Sequence, residues 1–235
     1  MPEPVSRPAR FSFWLWAALP LVIGAGLRCW RIGAMDAFVD ESALILTALD
    51  ERVRAIMDPI AQGRPALLWL FTPAGWFPGH ALEVARLMTA AAGLSTAIAL
   101  GWALYQAAGR AAALCGLWLW AVMPFAVFHE RLALQDPFIA ALLAWAVALM
   151  IRGARGEKIT PGWWLGAGGL FGMACLCKIS AVLSLPWLGL LYLALQTDRS
   201  RPIFSRPLAF IALGTALPLL GLGAGLLRLG ANTGD

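Results

Sequence analysis

Seven long apolar runs dominate this chain and constrain what it can fold into. Short polar stretches separate most of them, and each is long enough, or nearly so, to cross a bilayer as a helix: Ser12–Leu27, Leu87–Tyr105, Ala111–Phe128, Pro137–Ile151, Trp163–Cys177, Ile179–Leu195 and Leu208–Leu227. A spanning helix needs about 20 residues, so the fourth and fifth runs must take in neighbouring loop residues. The pattern predicts an all-α, polytopic membrane helix bundle of about seven transmembrane helices.

The composition favours the same class. Of the 235 residues, 60% are hydrophobic and only 13% are charged, and the mean hydropathy is +0.74, which leaves too little polar side chain to cover a water-soluble globule. We therefore expect one transmembrane module over residues 1–235, with no separate soluble domain. The net charge of +5 does not indicate nucleic-acid binding, because the basic residues are scattered among loops and form no dense patch.

The basic N-terminal segment predicts the orientation in the membrane. Arg7 and Arg10 precede the first run, which continues into Arg28 without the small-residue pattern of a cleavage site, so we interpret it as a retained helix with a cytoplasmic N-terminus. Lys and Arg are equally numerous on the two sides. The inner ones lie in short loops with few acids, whereas many outer ones lie among most of the acids in the long insertion Arg28–Arg86. This context favours an outer location for the insertion.

The insertion contains two segments that suit the membrane surface. Met35–Arg54 combines helically spaced apolar residues with acids, which is typical of an amphipathic interfacial helix. Ala66–Phe77 is too short to span and contains Pro73, so it fits a helix that lies in the membrane edge. We expect both segments to cover the outer end of the bundle.

Ionisable groups gather at the predicted outer ends of the helices. The adjacent carboxylates Asp40-Glu41 lie in the insertion, and charged groups beside a bilayer are costly and often functional. Alternating spans place further groups in the same layer: Arg64 before the second interfacial segment, Glu130, Arg131 and Asp136 after the third run, and Lys178 after the fifth. Two acidic clusters and several cations are therefore expected to meet at one face.

Each of these residues also has a purely structural explanation. Asp40 and Glu41 could begin the amphipathic helix, because acids favour a helix N-terminus. Asp136 directly precedes a proline and suits a helix N-cap. Arg131 could pair with the glutamate before it or anchor at lipid headgroups, and Lys178 could extend to the interface from the end of its helix.

The order of these motifs resembles that of the GT-C membrane glycosyltransferases, in particular the bacterial protein mannosyltransferase-like and lipid A aminoarabinose transferase-like group. The resemblance covers nearly the whole chain. Its elements, in family order, are Phe38-Val39-Asp40-Glu41-Ser42-Ala43, Arg64-Pro65-Ala66-Leu67, Ala85-Arg86-Leu87, Arg131-Leu132-Ala133-Leu134-Gln135-Asp136 and the Gly-rich segment Gly166–Lys178. Each element is weak by itself, whereas the ordered set is fairly specific.

The chain departs from the family pattern in three respects. Arg64-Pro65-Ala66 stands where the family usually has His-Pro-Pro or Lys-Pro-Pro, and Cys177 stands where a threonine often precedes the lysine. Family members are also commonly about twice as long, with further spans and a C-terminal soluble part. The departures leave open a truncated, split or inactive enzyme, with a second subunit that supplies the missing C-terminal part.

The resemblance implies a reaction and a set of roles. Enzymes of this kind move a sugar from a polyprenyl-phosphate carrier to an acceptor hydroxyl on a lipid, glycan or protein, here at the bacterial inner membrane with the site facing the periplasm or outside. Asp40 would be the base, while Glu41 and Asp136 would orient the acceptor or a cation. Whether Mg²⁺ or Mn²⁺ binds these three carboxylates stays open. The resemblance implies that Arg64, Arg131 and Lys178 bind the phosphate of the donor. Glu130 and Arg86 are implied as secondary site residues.

A non-enzymatic membrane transporter is the main alternative. A transporter usually places ionisable groups near the bilayer midplane and often contains repeated halves. The middles of the apolar runs hold only small polar residues such as Ser95, Thr96 and Thr215, and the sequence contains no visible repeat. It therefore favours the enzyme, whose partners would be membrane lipid, a polyprenyl-phosphate sugar and an acceptor of unknown identity.

Overall fold

The computed structural model describes residues 8–42, 45, 66, 70–156, 160–196 and 206–232, and all regular structure in these ranges is helical. The α-helices with defined bounds are α1 (Pro8–Cys29), α2 (Ala81–Ala108), α3 (Arg110–Val122), α4 (Pro124–Glu130), α5 (Asp136–Ala154), α6 (Pro161–Cys177), α7 (Leu185–Leu195) and α8 (Arg206–Asn232). Shorter 3₁₀ helices occupy Thr72–Trp76, Pro78–His80 and Ile179–Ser184. The predicted all-α class is confirmed for these residues.

The predicted number of seven membrane spans is not confirmed for the residues that the structure describes. Three helical segments, Pro78–Ala108, Asp136–Ala154 and Arg206–Ala224, are long and apolar enough to cross a membrane. Two further apolar helical segments, Phe13–Cys29 and Ile179–Leu195, are shorter over the residues whose side chains the structure describes. The described part of the chain thus supports three spans, or four if α3 and α4 count as one.

The third apolar run forms two helices rather than the one expected. α3 and α4 meet at a bend of 59°. Pro124 lies inside the run and can donate no backbone hydrogen bond, so a straight helix cannot continue through it. Met123 is extended, with a ψ angle of 115°, as expected for a residue before proline.

Neighbouring helices alternate in direction along the bundle, except that α4 continues α3 beyond the bend. α2 packs against α3 and α5, α5 against α6, and α6 against α8, while α1 lies against α3 and α2. At one end, Phe13 of α1 lies near Tyr105 of α2 and Arg110 of α3. At the other end, Arg28 of α1 contacts Glu130 of α4. The alternation agrees with the order of the apolar runs.

Glycines allow α6 and α8 to approach at backbone distance. A Cβ atom at Gly172 would lie 2.6 Å from the carbonyl oxygen of Thr215, and one at Gly168 would overlap the carbonyl group of Ile211. In lipid, helices gain little from burying apolar surface against each other, so close packing of small residues is a main source of their association.

Replacing Gly172 with alanine should therefore separate α6 from α8. The added methyl group must displace backbone atoms, so we expect the free energy of unfolding in detergent to fall by about 1–3 kcal/mol. Gly189→Ala is the matched control, because no described atom lies within 4 Å of the place its Cβ would take. Equal stability of the two variants would contradict this packing.

The long first loop is described only in part. Residues 39–42 are helical, so the amphipathic helix predicted over Met35–Arg54 begins at Val39. The predicted interfacial helix Ala66–Phe77 contains the 3₁₀ helix Thr72–Trp76 near its end. Most of both segments lies outside the described residues.

Candidate functional site

Glu41 is buried where the first loop meets α2. Each of its carboxylate oxygens accepts two hydrogen bonds. Nε and Nη2 of Arg86 donate to Oε1 and Oε2, both at 2.8 Å, and the N–H groups of Ala133 and Phe38 donate to Oε1 at 2.6 Å and Oε2 at 2.8 Å. The acceptor positions of the carboxylate are thus filled by the protein itself. This arrangement differs from the expectation that Glu41 orients the acceptor or a cation.

Arg86 is equally saturated with partners. Besides Glu41, it donates through Nη1 to the carbonyl oxygens of Ile32 and Met35 at 2.8 and 2.9 Å, and through Nη2 to that of Asp36 at 3.0 Å. All five N–H groups of the guanidinium therefore have an acceptor. The fully buried side chain ties the first loop to the beginning of α2.

Two opposing effects set the pKa of Glu41. Burial disfavours the ionised form and would raise the pKa, but the hydrogen bonds from Arg86, Ala133 and Phe38 favour that form, and the pKa lies below its ordinary value. Glu41 therefore stays ionised at neutral pH. Its contribution to stability is present above the ordinary pKa and is lost as the pH falls through the lower pKa of the folded state.

Asp40 precedes this pair but is exposed to solvent. Within the described ranges, no group forms a hydrogen bond or ion pair with its carboxylate. Its backbone is nevertheless fixed, because Glu41 beside it is held by Arg86, Ala133 and Phe38. An exposed carboxylate on a fixed backbone is suited to accept a proton from a substrate.

The turn between α4 and α5 approaches the same location. Ala133 in this turn donates to Glu41, and Nη2 of Arg131 donates to the carbonyl oxygen of Trp30 at 2.7 Å. Nε of Arg131 is buried and has no hydrogen-bond partner in the part of the chain that the structure describes. This N–H group therefore has no acceptor among those residues.

Asp136 and Lys178 form an exposed ion pair. Nζ of Lys178, which follows α6, lies 3.2 Å from Oδ1 of Asp136 in the first turn of α5, and the side chains are 34% and 59% exposed. Asp136 does not act as a helix N-cap, because Gln135 holds that position and makes no side-chain capping bond. An ion pair so exposed adds little to stability, and both groups are accessible to a substrate.

Glu130 lies in the interior rather than in the exposed layer where the sequence places it. Its carboxylate pairs with Arg28 of α1, and both side chains are buried. Sequence reasoning missed Arg28 as a partner. Two features of the sequence could have indicated this pairing. One is a cation at the end of the first apolar run, and the other is a proline inside the third run.

We call this end of the bundle the polar end. It brings together six of the residues singled out from the sequence, namely Asp40, Glu41, Arg86, Arg131, Asp136 and Lys178. Arg64, a further predicted phosphate ligand, lies outside the described residues. The opposite end, which we call the basic end, holds Arg110, Arg152 and Arg155, and Arg155 donates to the carbonyl oxygen of Ala107 there.

The carboxylates do not form a metal site in the described ranges, which hold no group of three or more His, Cys, Asp or Glu suited to an ion. Of the three considered for Mg²⁺ or Mn²⁺, Glu41 has both oxygens bonded to protein donors and Asp136 is paired with Lys178. Glu41 therefore has no oxygen left to offer an ion.

These features define a helical membrane protein with an exposed carboxylate and several cations at one end of its bundle. Residues 64–221, about two thirds of the chain, match the model of the dolichyl-phosphate-mannose-protein mannosyltransferase family. The chain belongs to this family, which is part of the GT-C superfamily. The match includes Arg86, Arg131, Asp136 and Lys178 but begins after Asp40-Glu41. No curated protein and no solved structure matches the chain.

Proposed function

We propose that this protein is a membrane glycosyltransferase that moves a sugar from a polyprenyl-phosphate carrier to a hydroxyl group of a lipid, glycan or protein. Family membership supports the glycosyltransferase class and implies the polyprenyl-phosphate donor. The observation that carries the proposal is the exposed carboxylate of Asp40, which lies beside the buried Glu41–Arg86 pair at the polar end.

Asp40 is the proposed general base. The oxygen of the acceptor hydroxyl attacks the anomeric carbon of the donor sugar, and its proton passes to the Asp40 carboxylate. The bond between the anomeric carbon and the phosphate oxygen breaks, and the polyprenyl phosphate leaves with the electron pair. A positioned carboxylate accelerates such a proton transfer by about 10²–10⁴-fold.

Lys178 and Arg131 are the proposed cations for the departing phosphate. One N–H of Lys178 is used by Asp136, which leaves two for a ligand. The half-buried guanidinium of Arg131 lies at the same end of the bundle. Donors placed where negative charge develops lower the barrier most strongly. The motif around Arg64 supports it as a third cation.

The other polar residues have supporting roles in this mechanism. Asp136 orients Lys178 through their ion pair. Glu41 and Arg86 hold the backbone beside Asp40, since their hydrogen bonds join the first loop, α2 and the turn before α5. No step passes through a metal ion.

The proposed location is the bacterial inner membrane, with the polar end outside. Exposed Trp30 and Trp76 near that end suit the headgroup region, where the phosphate of a lipid carrier lies. Arg110, Arg152 and Arg155 at the basic end suit the cytoplasmic side, which positive residues favour.

Charge reversal at the phosphate site tests the donor. Lys178→Glu should strongly weaken binding of polyprenyl-phosphate mannose in nanodiscs, because a charge-assisted bond to the phosphate is replaced by repulsion. Arg155→Glu, which reverses an exposed charge at the basic end, is the matched control and should bind the donor normally. If both variants bind the lipid-linked sugar equally well, Lys178 is not part of the donor site.

A further inference from the structure

The bend between α3 and α4 leaves backbone carbonyl groups without helical partners. In a straight helix the carbonyl oxygen of Trp120 accepts from residue 124, but Pro124 has no N–H group. Ala121 loses its partner as well, because α4 turns away by 59°. Unpaired carbonyl groups in an apolar interior are unfavourable.

Arg28 of α1 supplies the missing donors. Its Nη2 donates to the carbonyl oxygen of Trp120 and its Nη1 to that of Ala121, both at 3.0 Å. Nη1 also donates to Gly24 in its own helix at 3.1 Å. The fully buried side chain can serve several carbonyl groups at once, because its donors are fixed in a planar fork.

Glu130 provides the counter-charge for this buried cation. Nε of Arg28 donates to Oε2 of Glu130, and the side chains are 0% and 4% exposed. The Glu130 carboxylate has room here because residue 93 of α2 is glycine. A Cβ atom on Gly93 would overlap the carboxylate. A buried charge without a partner is strongly unfavourable, so the pair depends on both residues and on the space at Gly93.

The pair lies directly before the turn that reaches the candidate site. Glu130 is the last residue of α4. Arg131 follows it and donates to Trp30, just beyond α1, and Ala133 then donates to Glu41. The end of α1 therefore contacts both the bend and the turn after it.

We propose that Arg28, Glu130 and Gly93 form a positioning unit that holds the bend. It thereby sets the location of Arg131 and of the Ala133 N–H group, which binds Glu41 beside Asp40. The importance of that location rests on the function proposed above for Arg131 and Asp40, whereas the location itself can be measured without any substrate.

Cross-linking reports the location of the turn. The reporter protein carries Trp30→Cys and Arg131→Cys, with the exposed Cys29 and Cys115 replaced by alanine. Because Arg131 contacts Trp30 in the structure, a short bifunctional thiol reagent should join the two introduced cysteines. Sugar transfer plays no part in this readout, so a failure of the proposed enzymatic function would not change it.

Gly93→Ala in the reporter protein should lose most of the cross-linked product. The methyl group takes the space of the Glu130 carboxylate, so the pair and the bend must shift. Gly26→Ala on α1 is the matched control, because no described atom lies within 4 Å of the added Cβ, and it should retain the product. Equal yields in the two variants would overturn the proposal.

A second set of variants separates positioning from stability. Arg28→Met with Glu130→Met removes both charges and should lower the melting temperature and lose the cross-link. Adding Pro124→Ala restores an N–H group for the Trp120 carbonyl, so the melting temperature should rise again, while the straightened helix keeps the cysteines apart. Survival of the cross-link in the double variant, or its return with Pro124→Ala, would show that the pair does not position the turn.

Discussion

Replacing Asp40 with asparagine should abolish sugar transfer and leave the protein folded in the membrane. The two side chains are nearly equal in size, but the amide of asparagine cannot take up the proton of the acceptor hydroxyl group at neutral pH. A general base contributes about 10²–10⁴-fold to the rate, and we expect a loss of that order in the transfer of labelled mannose from polyprenyl-phosphate mannose. The melting temperature should not change, because Asp40 is exposed and forms no ion pair in the described structure.

Asp36→Asn is the matched control for this variant. Asp36 is an exposed residue of the same loop, and Arg86 donates to its backbone carbonyl oxygen rather than to its side chain. The substitution should therefore alter neither sugar transfer nor stability. Activity of Asp40→Asn within about tenfold of the parent, roughly 1.4 kcal/mol of barrier, would rule out Asp40 as the base.

Arg86→Leu should have the largest effect on stability. It leaves the buried carboxylate of Glu41 without its counter-ion and removes the donor from the carbonyl groups of Ile32, Met35 and Asp36. Removal of one partner from a buried ion pair costs about 3–5 kcal/mol. We expect a decrease of this size in the free energy of unfolding, measured in detergent at neutral pH, where Glu41 is ionised.

Arg110→Leu is the control for the loss of an arginine near a helix start. Arg110 is exposed and lies over the ring of Phe13, 5.7 Å from its centroid, a contact worth about 0.5–1 kcal/mol at an exposed site. If both arginine variants were destabilised equally, Arg86 would not hold the first loop as the structure indicates.

The helical segments could be predicted from the sequence because hydrophobic periodicity and run length are local properties. α2 and α5, for example, enclose the runs Leu87–Tyr105 and Pro137–Ile151. The number of spans could not be predicted in the same way, because it depends on where each helix ends and on the bend at Pro124. That proline was visible in the sequence, and its effect on the helix follows from its missing N–H group.

The candidate site was predictable in its location but not in its pairings. Alternation of the runs places Asp40-Glu41, Asp136 and Lys178 at one end, and the structure has them there. Two adjacent acids look equivalent in a sequence, however, and only the fold separates the exposed Asp40 from the buried Glu41. Which arginine meets which glutamate is also a long-range property, because Arg86 lies 45 residues from Glu41 and Arg28 lies 102 residues from Glu130.

The most direct measurement is donor binding and sugar transfer by the purified chain in nanodiscs, with labelled polyprenyl-phosphate mannose and labelled nucleotide-linked mannose supplied in parallel. The account predicts that the lipid-linked sugar binds and is consumed in an Asp40-dependent reaction, while the nucleotide-linked sugar is not. If the chain binds no lipid-linked sugar, but binds a nucleotide sugar or transports a small ion, the glycosyltransferase mechanism proposed here is contradicted.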